Sequence, residues 1–273
     1  MKPFTINGLR SAYLEWGDAS KPLVVMVHGF PDTPHSWSTI APTIAAKGYW
    51  VVAPFLRGYS PSEAGPRDTS AQDLAEDGAA YAPALGRETC HLVGHDWGTE
   101  LAWGAVGLKP ERFLSVTAIA IPHRARLIPK PHMLWGLRHF VSFNLPGAEA
   151  RFARDDFAEL EMLLKRWSPT WKFSAEELAQ MKDCFRQPGT VHAALGYYRS
   201  LSPFLPACMK AKVTVPTLCI SGGDDPALKP EDYEPTRAHF VNGMELVTVP
   251  GGHFCHRESP QLVIDAILKH LKR

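Results

Sequence analysis

No stretch of this chain stays apolar for the ~18–20 residues that a membrane-spanning helix requires, and Met1-Lys2-Pro3 leads into a strand-like pattern without the apolar core of a secretory signal. A cytoplasmic location without a membrane partner is therefore expected. Charge of neither sign predominates. The 29 Lys and Arg against 28 Asp and Glu leave a formal net charge of +1, which argues against a surface dedicated to nucleic acid and favours small neutral partners. Cysteine is scarce too. Cys90, Cys184, Cys208, Cys219 and Cys255 are odd in number and lack C-x-x-C spacing, so neither a disulfide framework nor a zinc ribbon is indicated. Internal repeats and low-complexity tracts are also missing, and proline is dense only in PHRARLIPKPH (122–132), which reads as a hinge.

What is present is alternation. Apolar runs recur at 23–27 (LVVMV), 51–55, 91–94, 114–121, 217–220 and 245–249; continuous rather than alternating runs fit strands covered on both faces. Helical patterns lie between them at 36–47, 71–84, 97–109 and 259–271, so an α/β fold with a mostly parallel central sheet is expected. The alternation stops after Pro122 and resumes near Val215, with aromatic-rich helical stretches such as 174–185 in between. We expect a core of residues 1–122 and 213–273, with an all-helical lid at 123–212 over the C-terminal edge of the sheet, where open α/β folds bind ligands. Either a monomer or a homodimer is compatible with this plan.

GHDWG (94–98) has the spacing of a nucleophile elbow, with aspartate in place of serine. Asp96 could instead be a simple N-cap of the helix that follows. Three features favour the elbow. Gly94 and Gly98 bracket Asp96, with Gly104 and Gly107 continuing the small face of the helix; HGFP (28–31) follows the first long strand, where a backbone N–H would complete an oxyanion hole; and VPGGHFCHRESP (249–260) supplies a strand-end histidine. His253, directly after Gly251-Gly252, is favoured over His256, which lies nearer the Ser259 cap and is expected to face solvent. ISGGDDP (220–226) offers Asp224 or Asp225 to orient the imidazole, in the chain order nucleophile, acid, histidine. A carboxylate suits alkyl transfer. Attack on saturated carbon by serine leaves an ether that water cannot readily cleave, whereas attack by aspartate leaves a hydrolysable ester, and a carboxylate with a pKa near ~3.9 is already ionised at neutral pH.

Together, HGFP, GHDWG, GGDD and GGH resemble the α/β-hydrolase superfamily over essentially the whole chain, and within it the soluble epoxide hydrolases and haloalkane dehalogenases. The resemblance implies that Asp96 attacks, that His253 activates the water that cleaves the ester, that the backbone N–H groups of Phe30 and Trp97 form the oxyanion hole, and that Asp225 is the triad acid with Asp224 a turn residue. It also places two proton donors in the lid: Tyr198, in GYYRS, and His139, seven residues before Pro146-Gly147 where a tyrosine is usual. Trp97, Phe30, Tyr197 and Trp135 are the expected substrate-binding wall. Phe30 in the HGxP slot favours epoxide hydrolases over dehalogenases, Trp97 fits either, and Trp97 and Glu100 stand where fluoroacetate-specific relatives carry arginine. Phe55 in FLRGYSPS (55–62) replaces an acid of the family loop, and Cys255 reads as a buried thiol. His91 and His95 fall on a strand and the elbow, so no metal is expected, and no cofactor. The expected activity is hydration of a small apolar epoxide by water to a vicinal diol; haloalkane dehalogenation and a non-catalytic ligand receptor are the alternatives.

Overall fold

In LVVMV, successive side chains alternate between two separate apolar layers: Leu23, Val25 and Val27 pack on one side, and Val24 and Met26 on the other. The strand is buried along its whole length. In the computed structural model, which describes residues 1–272, it is β3 (Leu23–Val27) in a sheet with β1 (Lys2–Ile6), β2 (Leu9–Trp16), β4 (Trp50–Pro54), β5 (Cys90–His95), β6 (Phe113–Ile119), β7 (Thr217–Gly222) and β8 (Glu245–Val249). The spatial order is β1-β2-β4-β3-β5-β6-β7-β8. β1, β2 and β4 pair antiparallel, and from β4 onward every pairing is parallel. The fold is α/β as expected, with the order of strand addition switching sides between β3 and β5, where ligand crevices form.

Helices α1 (Ala41–Ala46), α2 (Ala71–Ala84) and α3 (Trp97–Leu108) connect the first half of the sheet. Leu74 and Ala75 of α2 and Leu101 and Ala105 of α3 cover the Val25 side, while Ile44 of α1 joins the Val24 side. The pattern at 36–47 does not form one helix. It splits into a single tight turn at Pro34–Trp37 and the short α1, because Pro42 has no N–H with which to extend a helix begun earlier. Ser70 closes a capping box with Asp73 at the start of α2.

Between β6 and β7 lie α4 (Pro131–Gly136), α5 (His139–Ser142), α6 (Ala148–Trp167), α7 (Ala175–Phe185), α8 (Thr190–Arg199) and α9 (Ala207–Lys210). Ser174 caps α7 through the Glu177 N–H at 3.1 Å. α6 is interrupted at Arg154–Phe157, where Asp155, Asp156 and Phe157 adopt positive φ. After β8 come α10 (Cys255–Glu258) and α11 (Pro260–Leu271), whose Val263, Ile264, Ile267 and Leu271 fill the Val24 side of the sheet. No helix among the described residues is long and apolar enough to cross a membrane.

Candidate active site

β5 must turn into α3 within a single residue, and the glycines around Asp96 permit it. A Cβ on Gly94 would stand 2.2 Å from the Gly98 carbonyl oxygen, and one on Gly98 would stand 2.1 Å from that of Val27. Asp96 itself takes φ 51° and ψ −117°, a conformation that costs a non-glycine residue ~1–3 kcal/mol and holds its side chain clear of the helix. It makes no N-cap hydrogen bond. Instead Oδ1 accepts the Phe30 backbone N–H at 2.7 Å. Gly29 makes room for this, since a Cβ there would meet the Asp96 Cβ at 2.4 Å. Thr99 locks the turn, its Oγ1 lying 2.7 Å from the Gly94 carbonyl and accepting the Ile119 N–H at 3.1 Å.

His253 arrives from the end of β8. Its Nδ1 lies 3.1 Å from Asp225 Oδ2 and its Nε2 lies 3.4 Å from Asp96 Oδ2. The other Asp225 oxygen accepts the Ala227 and Leu228 N–H groups at 2.8 and 3.1 Å, which fixes the carboxylate. Asp224 points elsewhere, accepting the Gly251 N–H. Of the two candidate acids, Asp225 is the one joined to the imidazole. The His253 main chain is held on both sides: its N–H donates to the Trp167 carbonyl, and its carbonyl accepts from His95 Nε2, each at 2.9 Å. Burial opposes an imidazolium here, but hydrogen bonds and charge from Asp225 and Asp96 outweigh it and carry the His253 pKa up to about 10. Burial likewise opposes the Asp96 carboxylate, yet His253 and the Phe30 N–H bring it below its ordinary value. The resting pair is charged.

Asp96 borders two adjoining spaces. One is lined by Ile121, Leu137, His139, Phe140, Trp167, Ala227, Leu228 and His253; the other by Trp97, Glu100, Ile121, Arg124, Phe140 and Leu201. Residues 22–260 match the family of the α/β hydrolase fold. The chain belongs to that family. This α/β-hydrolase is 30% identical to epoxide hydrolase 4 of Mus musculus, over 97% of the chain and 77% of that protein. It is 28% identical to an AB hydrolase superfamily protein of Bacillus subtilis, over 97% and 96%. Among solved structures, an epoxide hydrolase from Vigna radiata superposes with a TM-score of 0.84 at 27% identity, over 99% of this chain and 97% of that one.

In this α/β-hydrolase the helical insertion brings His139 and Tyr198 together, with ring centroids 5.4 Å apart. Tyr198 also meets Trp97 edge-on at 5.1 Å, and His139 lies 4.7 Å from Trp167. Burial raises the Tyr198 pKa well above 10, and the Asp96 charge adds to the rise, so the hydroxyl keeps its proton. Burial, with Arg166 nearby, lowers His139 to about 3. It is a neutral imidazole that can donate a hydrogen bond but is not a cationic acid.

Several expected residues stand elsewhere. Trp135 is not in the pocket wall: it is 72% exposed, on the outer side of α4, with the Arg138 guanidinium 4.2 Å above its ring. The inward side of that helix is taken by Met133 and Gly136. Tyr197 stands behind the wall, its ring 5.3 Å from Trp97 and its hydroxyl donating to the Arg57 carbonyl at 2.6 Å. The Phe30 ring is fully buried among Phe143, Phe152, Phe185 and Tyr198, seating the helical insertion on the HGFP loop. His256 does not face solvent: it is 1% exposed and 2.6 Å from Ser36 Oγ, because α10 turns it under the sheet edge against His95 and Trp37. The Phe55 loop is tied by Ser62 Oγ to the Phe55 carbonyl and by the Leu56 N–H to His28 Nε2, contacts that do not need the missing acid. Cys255 is buried, which raises its thiol pKa, and His91 pairs with Ser115 Oγ at 2.8 Å. Sequence reasoning gave no role to Glu100 and Arg124, which form an ion pair in the pocket. The i, i+4 spacing of Asp96 and Glu100 was the available signal.

Proposed function

We propose that the protein hydrolyses epoxides to vicinal diols through an alkyl ester on Asp96. The observation that carries this reading is the division of labour between the two carboxylate oxygens: Oδ1 accepts the Phe30 N–H while Oδ2 faces His253, with Asp96 and His253 both lining the cavity. Oδ2 attacks an epoxide carbon, the C–O bond breaks, and the alkoxide takes the Tyr198 proton while neutral His139 donates a hydrogen bond to the same oxygen. Forming the ester removes the Asp96 charge that supports the imidazolium. His253 then gives up its proton, which through solvent restores the Tyr198 hydroxyl, and becomes a base. Water attacks the ester carbonyl carbon, giving its proton to His253, and the oxyanion on Oδ1 meets the Phe30 and Trp97 N–H groups. Collapse breaks the ester C–O bond, and the departing diol oxygen takes the proton left on the Asp96 carboxyl. Ionised Asp96, imidazolium and neutral Tyr198 are regenerated.

The names of the relatives support the same chemistry, and the Tyr198 and His139 pair favours it over loss of halide, which needs no proton. In His253→Gln, ester formation should persist while its hydrolysis stops. With excess styrene oxide, intact-mass measurement is expected to show the protein plus one substrate, and no such mass in Asp96→Ala. An unmodified His253→Gln protein, with wild type turning over, would refute the two-step scheme.

A further inference from the structure

The pocket beside Asp96 is mostly apolar. Trp97, Ile121, Phe140 and Leu201 line it together with Arg124, whose Nη2 donates to Glu100 Oε1. Glu100 is 5% exposed and the Arg124 side chain 22% exposed. Removing both charges from water carries a desolvation cost that a pair of apolar side chains would avoid, and a purely apolar epoxide would gain nothing from either group. Moreover, the guanidinium is not saturated. Of its five N–H donors, Glu100 takes one on Nη2, and the side chain lines the pocket. Glu100 stands in the first turn of α3, directly after Asp96, so the ion pair and the attacking carboxylate line the same pocket. Glu100 also cancels the charge of Arg124, so the subsite offers hydrogen bonds without a net attraction for anions.

We propose that Arg124, held by Glu100, is a specificity-determining residue that binds a neutral acceptor oxygen on the substrate. The preferred substrates are then epoxides whose tail carries an ether or carbonyl oxygen. This rests on the epoxide hydrolase reading above and names its substrate class.

Three terminal epoxides of matched length test it: an unsubstituted straight-chain epoxyoctane, its analogue with a ketone in the tail, and the corresponding epoxy carboxylate. Wild type is expected to favour the ketone over the alkane in kcat/KM by roughly tenfold or more, the worth of one hydrogen bond to a charged donor, and to favour it over the carboxylate. In Arg124→Met the ketone-to-alkane ratio should fall toward unity, and Arg124→Lys should keep part of it. Because Arg124→Met leaves Glu100 unpaired, the double variant E100Q/R124M is measured beside it. A wild type that hydrolyses all three without preference overturns the proposal, as does an Arg124→Met or double variant that keeps the wild-type ratio, or a preference for the carboxylate. Quenching of tryptophan fluorescence by the product diols reads the same contact without turnover. Ketone-diol preference without hydrolysis of any epoxide would overturn the catalytic reading alone.

Discussion

Replacing Asp96 by Asn gives a stable stand-in for the proposed ester intermediate, because it removes the carboxylate charge and changes shape little. At the 3.4 Å separation of Asp96 Oδ2 and His253 Nε2, an effective dielectric near 20 makes the charge pair worth about 5 kcal/mol, or about 3.5 pKa units. Hydrogen bonding acts in the same direction. The amide oxygen must take the Phe30 N–H that Oδ1 now accepts, which turns the amide N–H₂ toward Nε2, and that nitrogen can accept only when the imidazole is neutral. Asp225 still supports the cation and burial still opposes it. His253 should therefore fall from about 10 to near or below neutrality in Asp96→Asn. The ring C–H signal of His253, assigned by its loss in His253→Gln, reports this in an NMR titration. His28, His91 and His95 are held near 4 by burial, so they do not titrate in the same window. Intact mass checks that the amide persists, since the same site is proposed to hydrolyse at that carbon. A midpoint unchanged near 10 would refute the idea that ester formation releases the base.

Tyr198→Phe should slow epoxide alkylation by at least the lower part of the ~10²–10⁴-fold range for a lost general acid while sparing alkylation by a bromoalkane, with pre-steady-state adduct formation as the readout. His139→Phe, which removes only a neutral donor, should slow epoxide alkylation less. The raised pKa of His253 means that its imidazolium stabilises the fold fully below about pH 6.5, its unfolded value, and that this contribution is lost as pH rises toward 10; the melting-temperature advantage of wild type over His253→Gln should shrink across that interval. Gly98→Ala places a Cβ 2.1 Å from the Val27 carbonyl oxygen, and urea unfolding should show a loss of about 1–3 kcal/mol or more.

What could be read from the sequence was whatever local geometry dictates. The strand cores follow from side chains alternating across a doubly covered sheet, the elbow from glycines where a Cβ would collide with a neighbouring carbonyl, and His253 from its place after a strand-end glycine pair. Residues whose orientation depends on packing between distant segments were harder. His256 and Trp135 each occupy a short helix, and in both cases the deciding fact is which way that helix is rotated against its neighbour. His256 is turned in toward Ser36, 220 positions away in the chain, whereas Trp135 is turned out because Gly136 fits against Ala227, where a Cβ would meet the Ala227 Cβ at 2.4 Å. Neither contact has a local signature.

The same distinction changes how the helical insertion is understood. From sequence it was a cover for the sheet, but its contacts reach His253 itself. The Trp167 carbonyl holds the His253 N–H, and Ser168 Oγ holds the Phe254 N–H at 2.8 Å. Farther along α10, Arg257 donates to Asp32 in the loop after HGFP and to Glu177 on α7. One guanidinium thus joins the oxyanion loop, the histidine segment and the insertion, and it is buried enough that water competes weakly with those bonds. Displacing the insertion would therefore do more than open the pocket: it would strip the His253 backbone of its acceptor and loosen the imidazole that must stand within reach of Asp96. In this arrangement the proposed proton donors, Tyr198 and His139, and the proposed base, His253, are all held by the helical insertion.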